Sequence, residues 1–294
     1  MRTIFIIFFL ALFFSCKADP NPGSVITSTS DTLRVATFNV RIRTTSDKGA
    51  LSWENRKTQV AQIINSYKMD VLGVQELVDK EQEQELSRLL PSFASVSYGR
   101  DNQSGSRGER LAIYFNQNRF TLKQEGFFFL SETPDQVSKG WDAALNRICQ
   151  WVLLYDKITK REFFFFNTHF DHIGKRARAG SAELIVRKIA ELTDDKPVIC
   201  VGDFNASPFE TLVYQTLTNA LNDSRQKAKI VEGTPGTFNG WNLTSATFNE
   251  NVRIDYVFTG IGIGVEEYRV INDQYSQDTF PSDHFPVFCR IYFE

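Results

Sequence analysis

The sequence predicts an α/β domain of two packed sheets with helices on their outer faces. Three observations carry this expectation. The chain opens as strand, helix, strand, helix. Its middle is a run of strand-like segments, and a long amphipathic segment then leads into a short apolar strand, Val198–Asp203. At 294 residues the chain is long enough to bury a sizeable core in one large domain or two modest ones. The 26 Phe residues favour a sheet-rich interior.

Each element has its own justification. Thr32–Val40 is β-prone and alternating, a strand ending at Asn39, and Trp53–Lys68 carries Val60, Ile63, Ile64 and Tyr67 at helical spacing. Val71–Glu76 is an apolar strand that ends on a carboxylate. Lys80–Leu90 sets Leu86, Leu89 and Leu90 on one helical face and stops at Pro91. Five antiparallel-looking strands follow, Ala94–Tyr98, Arg110–Phe115, Gly126–Leu130, Ile148–Asp156 and Arg161–Thr168, with a hairpin turn at Lys157–Lys160. Lys175–Leu192 is a helix with Leu184, Ile185, Ile189 and Leu192 on one side. Val198–Asp203 is the central strand, and Phe209–Asn219 a further helix. After a Gly/Thr/Asn-rich loop at Glu232–Thr247, two strands, Arg253–Phe258 and Phe285–Tyr292, close the chain.

The N-terminus reads as an export signal occupying residues 1–15. Arg2 precedes an apolar run, Ile4–Phe14, that is too short to span a bilayer. Ser15-Cys16 looks like a lipoprotein signal with Cys16 as the lipidated first residue, although Phe13 stands where such signals usually have Leu. An ordinary secretion signal or a short membrane anchor is the alternative. Residues 16–31 form a Pro/Asn/Gly/Ser/Thr-rich flexible tether, and the folded domain spans 32–294. The expected address is therefore the bacterial cell envelope, lipid-anchored through Cys16, or the periplasm or medium. Cys149, Cys200 and Cys289 lie in apolar segments without CxxC spacing, so buried free thiols are expected rather than a zinc ribbon or a disulfide framework. A formal net charge of −2 provides no bulk positive field for nucleic acid, so an anionic substrate has to be held locally.

Polar residues recur where the strands end: Asn39, Glu76, His169, Asp203 with Asn205, Asp255, and Asp283 with His284. Ligands of open α/β sheets gather at the carboxyl ends of strands, so the recurrence points to a site. In Gly202-Asp-Phe-Asn205, the carboxylate and carboxamide suit an oxygen-liganded cation, a phosphate and an attacking water, or alternatively a simple Asx turn. On an extended backbone the two side chains project to one side.

Thr37-Phe-Asn-Val40, Val74-Gln-Glu76, Asn167-Thr-His169, Gly202-Asp-Phe-Asn205, Arg253-Ile-Asp-Tyr256 and Ser282-Asp-His284 occur in this order. The set resembles the endonuclease/exonuclease/phosphatase superfamily over residues 32–294. The resemblance implies a four-layered α/β/β/α sandwich and a Mg²⁺- or Mn²⁺-dependent phosphodiesterase. Carried over residue by residue, Glu76 would ligate the metal with Asn39 and Asp283 beside it. Asp203 would activate water, Asn205 would hold phosphate, and His284 would face the developing phosphorane with Asp255 behind it. His169 would pair with Glu109, and Arg147 would contact phosphate, although Glu109 and Arg147 also suit a cross-strand salt bridge.

Asp171 and His172 fit the site or a solvated loop equally. Trp141-Asp142 and Trp241 fit base or sugar stacking, or loop packing. A nuclease on DNA or RNA, acting as a monomer, is the first expectation. A phosphoesterase on phospholipid, inositol phosphate or another small phosphodiester comes second. A non-catalytic binding module is disfavoured because no site residue is missing, and a zinc hydrolase because the ligand set is oxygen-rich.

Overall fold

Phe163, Phe164, Phe165 and Phe166 run consecutively along one strand, and an extended backbone sends neighbours to opposite faces. Phe163 and Phe165 enter one hydrophobic core, Phe164 and Phe166 another, so both faces of this strand are covered. Each Phe so buried contributes about 1.5–3 kcal/mol. That requirement organises the whole molecule. The structure, a computed structural model, describes residues 31–242, 249–273 and 280–294. The expected leader and most of the tether, Cys16 included, lie outside the described residues, as do positions 243–247 of the Gly/Thr/Asn-rich loop.

The first sheet contains β1 (Thr32–Asn39), β2 (Val71–Leu77), β3 (Phe93–Gly99) and β4 (Arg110–Asn116). The second contains β5 (Phe120–Phe129), β6 (Ile148–Asp156), β7 (Glu162–His169) and β8 (Val198–Asp203). Later segments complete both: β9 (Asn222–Asp223) and β11 (Asp255–Thr259) join the second, whereas β10 (Ile230–Glu232), β12 (Ile263–Val270) and β13 (Val287–Phe293) join the first. The strand orders are β10-β12-β13-β1-β2-β4-β3 and β5-β6-β7-β8-β11-β9. Both sheets are mixed, with β1 parallel to β2 and β7 parallel to β8.

One core lies between the sheets, where Val35, Val71 and Ile113 meet Phe165, Ile199 and Val201. Outside the first sheet, α1 (Trp53–Ser66) and α2 (Lys80–Leu89) set Val60, Ile64 and Leu86 against Phe38, Leu72 and Tyr114. Outside the second, α3 (Lys175–Thr193) and α4 (Thr211–Ala220) set Leu184, Ile185, Val213 and Leu217 against Phe166 and Phe258. A one-turn α5 (Ser224–Lys227) lies beyond them. The result is the four-layered α/β/β/α sandwich expected from the sequence.

Three strands, not two, close the chain after the loop. The unforeseen one is β12, whose Gly264, Glu266 and Glu267 interrupt apolar alternation and whose register against β13 shifts between Val265 and Glu267. A bulge of that kind breaks the period of two on which strand recognition rests. Likewise β5 begins at Phe120 rather than Gly126, because an edge strand facing solvent need not alternate. Phe128, Phe129 and Leu130 are buried, not displayed as an apolar hairpin, and the three cysteines are buried and free.

The sheets are tied by polar groups as well as by apolar contact. Asn167 of β7 donates to the carbonyls of Val74 and Ala112 at 3.1 and 3.0 Å. Its oxygen accepts from Gln75 Nε2 at 2.7 Å, and Gln75 donates in turn to Thr37 Oγ1 at 2.9 Å. All three side chains are fully buried. Gly73 makes room for this bridge, since a Cβ there would come within 2.6 Å of Asn167 Oδ1. Replacing Asn167 by Ala leaves a buried donor and two carbonyls without partners. Urea unfolding of Asn167→Ala should show a loss of about 1–3 kcal/mol, and an unchanged midpoint would count against the bridge.

Candidate active site

Strand register brings the predicted residues together. His169 of β7 lies opposite Asp203 of β8, which lies opposite Asp255 of β11, so three neighbouring strands form one row. Across from this row, Asn39 and Glu76 stand at the same end of the first sheet. Glu76 sits where β2 leaves its register with β4, and it adopts a left-handed φ of 63°. Asp283 and His284 arrive on the segment before β13. Glu76, His169, Asp203, Asp283 and His284 line one cleft of about 350 Å³ together with Arg41, Glu109, Arg147 and Asn205, while Asn39 and Asp255 lie just behind its wall.

Asn39 is at the centre. Its amide nitrogen donates to Glu76 Oε1 at 2.9 Å and Asp203 Oδ2 at 3.0 Å, and its oxygen accepts from the Arg41 N–H. One oxygen or nitrogen each from Glu76, Asp203 and His284 lie within 4.8 Å of one another. Asp283 reaches the same cleft, but its carboxylate faces Arg41 Nη1 at 3.3 Å. Asp203 and Asn205 satisfy both readings of their motif. Asn205 N–H donates to Asp203 Oδ1 in an Asx turn with Asn205 at φ 47°, and both side chains still line the cleft. The left-handed residue ends the extended backbone, so the expected simple alternation does not hold there.

The two histidines are held in opposite charge states. Burial alone would lower the pKa of His284, but Asp255, 3.0 Å from its Nδ1, and Asp203 raise it from 6.5 to about 10. Burial lowers His169 to about 3, reinforced by the guanidinium charge of Arg147. His169 Nε2 is 3.5 Å from Asp203 and its Nδ1 is 3.5 Å from Glu109, beyond good hydrogen-bond geometry. Glu109 accepts instead from Arg100 at 2.6 Å, so it serves Arg100 before His169. Burial, and then the neighbouring carboxylates, raise Asp203 and Asp283, with Asp255 acting on the first and Glu76 on the second.

Arg147 is buried, and its Nε and Nη1 have no hydrogen-bond partner among the described residues. Glu109 lies 3.8 Å away, Asp171 3.5 Å, and Arg147 Nη2 is 3.2 Å from His172 Nδ1. Asp171, expected either in the site or in a solvated loop, does neither. It is buried, and burial would raise it, but the N–H groups of Ala144, Leu145, Ile173 and Gly174 hold it well below the usual carboxylate range. It knots two loops together behind Arg147, while His172 reaches the cleft. Trp141 packs on Gly180 of α3, where a Cβ would meet its ring at 2.2 Å, and Asp142 caps that helix through Ala177 N–H. Trp241 covers the Arg56 guanidinium at 5.4 Å. Both tryptophans pack loops.

Sequence reasoning missed Arg56 and Arg41. Arg56 is fully buried in α1 and donates to the carbonyls of Val40, Leu51 and Pro281, which fixes the segments carrying Asn39 and Asp283. On an amphipathic helix an Arg reads as solvent-facing, so only its nearness to Trp53 offered a signal. Arg41 follows Asn39 by two residues, at φ 62°, and that spacing was the available clue.

A family model described as "Endonuclease/Exonuclease/phosphatase family" matches residues 36–284. A structure of a family protein from Bacteroides thetaiotaomicron is 37% identical, with TM-score 0.83, covering 90% of this chain and 98% of that one. The mannosyl-6-phosphatase of the same organism is also 37% identical, with TM-score 0.82, over 89% and 100%. Human nocturnin is 25% identical over 268 residues, 83% of this chain, which spans 59% of nocturnin's length.

The opposite shifts set the dependence of stability on pH in the metal-free chain. His284, raised, stabilises fully below pH 6.5 and loses that contribution as pH climbs through about 10. His169, lowered, stabilises above 6.5 and loses its contribution as pH falls toward about 3. Urea midpoints measured across pH in EDTA should therefore form a dome. His284→Asn should flatten the alkaline limb and His169→Asn the acid limb; unaltered limbs would refute the charge assignment.

Proposed function

The chain belongs to the endonuclease/exonuclease/phosphatase family, and we propose that it hydrolyses the phosphoester of a small molecule, with a phosphosugar as substrate class. The family is one of divalent-metal-dependent phosphoesterases. The observation that carries the narrower reading is the cleft, whose roughly 350 Å³ stands at the small end of ligand pockets. Cations and carboxylates converge inside it rather than along an extended groove, and the net charge of −2 provides no track for a polyanion. The 37% identity to a mannosyl-6-phosphatase agrees. The nuclease expected first from sequence therefore takes second place.

The donor chemistry fits a hard divalent cation, Mg²⁺ or Mn²⁺. Glu76 and Asp283 would hold it, with Asp203 close by, because Asp203 and Asp283, raised by burial and a neighbouring carboxylate, gain from a cation among them. His284, with its Nδ1 against Asp255 and its pKa raised in the metal-free chain, is assigned here to meet charge on the phosphate rather than to ligate the cation. Asn39 donates to Glu76 and Asp203 and accepts from the Arg41 N–H, and so ties together the carboxylates beside the cation. When bound, the cation supplies positive charge to the phosphoryl and leaving oxygens.

The chain's own groups divide the remaining work. Asp203, anchored by the Asn39 amide and the Asn205 N–H, orients the attacking water and takes its proton. Asp255 holds the His284 imidazolium toward the cleft, where its positive charge meets the charge growing on phosphorus-bound oxygen. Arg147, which lines the cleft, donates to a phosphate oxygen in the way a guanidinium favours, with Asn205 beside it.

Phosphate release from mannose 6-phosphate and from mannosyl-6-phosphate glycans, with Mg²⁺, Mn²⁺ or EDTA, tests this reading beside nicking of supercoiled plasmid. Turnover should require metal and fall about 10²–10⁴-fold in Asp203→Ala. The plasmid should stay intact. Metal-dependent nicking that Asp203→Ala abolishes, without phosphate release from sugars, would return the assignment to a nuclease.

A further inference from the structure

The pole of the sandwich farthest from the cleft carries features that the chemistry does not use. β1 runs from Thr32 at that pole to Asn39 at the site, and β11 runs the other way, from Asp255 to Thr259. Eight strand residues separate the two ends by about 25 Å. Two turns project from the far pole, one crossing between the sheets and one a hairpin. Gly260-Ile261-Gly262 joins β11 to β12 and leaves Ile261 91% exposed, and Lys157–Arg161 joins β6 to β7 and leaves Ile158 49% exposed. Between the tips, β13 ends in Tyr292 and Phe293, with one hollow of about 310 Å³ on either side.

Cations surround these apolar tips. Lys227 and Lys229 line the hollow beside Ile261, with Lys229 Nζ 5.1 Å from the Tyr292 ring. Arg161 lines the hollow beside Ile158, where it donates to the Glu294 carbonyl and covers the Phe293 ring. Lys157 and Lys160 sit on the same hairpin, and Asp31 and Glu294 are the acidic side chains of the two hollows. Thr32 pairs with Tyr292, and Asp31 lines the hollow of Ile158, so the chain enters the domain at this pole. Upstream stand Cys16 and the apolar run Ile4–Phe14. The 16 residues from Cys16 to Asp31 reach at most about 55 Å, so an anchor at Cys16 would keep the pole within that distance of its surface.

We propose that this pole is a membrane-facing surface, on which Ile261 and Ile158 enter the interface of an anionic bilayer while Lys157, Lys160, Lys227 and Lys229 meet its headgroups. Single bulky apolar side chains on projecting turns, with lysines beside them, combine the two attractions that peripheral binding uses. The tether adds a third by raising the effective concentration of the face at the membrane. Docked this way, the domain turns its cleft away from the lipid, toward soluble substrate. Apolar side chains are also exposed at the cleft end, Phe209 at 64% among them. They lie at the opposite end from the tether, so they serve as the control.

The test uses the full chain bound to vesicles of equal parts phosphatidylglycerol and phosphatidylcholine, with brominated lipid as quencher. Ile261→Trp should gain quenched fluorescence over wild type, and Phe209→Trp should not. Equal quenching at the two positions, or none at Ile261→Trp, would overturn the proposal, because a domain that merely dangles from its tether shows no preferred face. As a second measurement, Ile158→Asp/Ile261→Asp and Lys227→Glu/Lys229→Glu should each weaken vesicle partition of the full chain at least about tenfold. Hydrolysis of a soluble substrate should be unchanged in both. Undiminished partition in both variants would assign all binding to the N-terminal segment and defeat the proposed face.

Discussion

Four carboxylates converge on a space dry enough that they disturb one another, and the rest of the structure answers to that crowding. Asp203, Asp255 and Asp283 are buried, and Glu76 is half-buried beside them. Like charges this close in a low dielectric repel strongly unless opposite charge or hydrogen-bond donors stand between them. The protein supplies both: the His284 imidazolium between Asp255 and Asp203, the Asn39 amide between Asp203 and Glu76, and Arg41 against Asp283. The carboxylate charge left uncompensated is of the kind that suits a divalent cation.

Holding that arrangement takes a frame that does not yield, and the frame is polar where it meets the site. Arg56 gathers three backbone carbonyls beneath the loops of Asn39 and Asp283. Thr237 Oγ1 accepts from the N–H groups of Ile254 and Asp255 and so fixes the start of β11. Asp171 collects four N–H groups from two loops, and Asn167 stitches sheet to sheet just behind His169. Arg41, Glu76 and Asn205 adopt left-handed backbone without being glycine, a local cost of about 1–2 kcal/mol each that the surrounding contacts must offset.

Much of this was legible in the sequence. Strands covered on both faces announce themselves as apolar runs, which is why β2, β6, β7 and β8 were placed closely, and polar residues stand out against such runs. The constellation Asn39, Glu76, His169, Asp203, Asp255 and His284 was visible for that reason, and the structure gathers all six at one end of the sandwich. Partners that act through space were not legible. Sequence put Glu109 with His169, and it stands 3.5 Å from that ring, but its closer tie to Arg100 was not legible. Asn39 was read by type, but which end of an amide faces the carboxylates depends on the Arg41 N–H. β12 was hidden by its bulge, and Arg56 by the assumption that helical arginines face water.

The row His169–Asp203–Asp255 has a consequence for how such a chain can diverge. Its spacing is set by ladder pairing between β7, β8 and β11, not by the loops between them. Loops of any length can be exchanged around it without moving these atoms. Losing or gaining one residue inside β8, by contrast, would rotate Asp203 to the other face and exchange Ile199 and Val201 with Val198 and Cys200 between the two cores in the same stroke. Descendants of this sequence are therefore free to acquire new substrates by insertion at the rim, while the strand lengths beneath stay fixed.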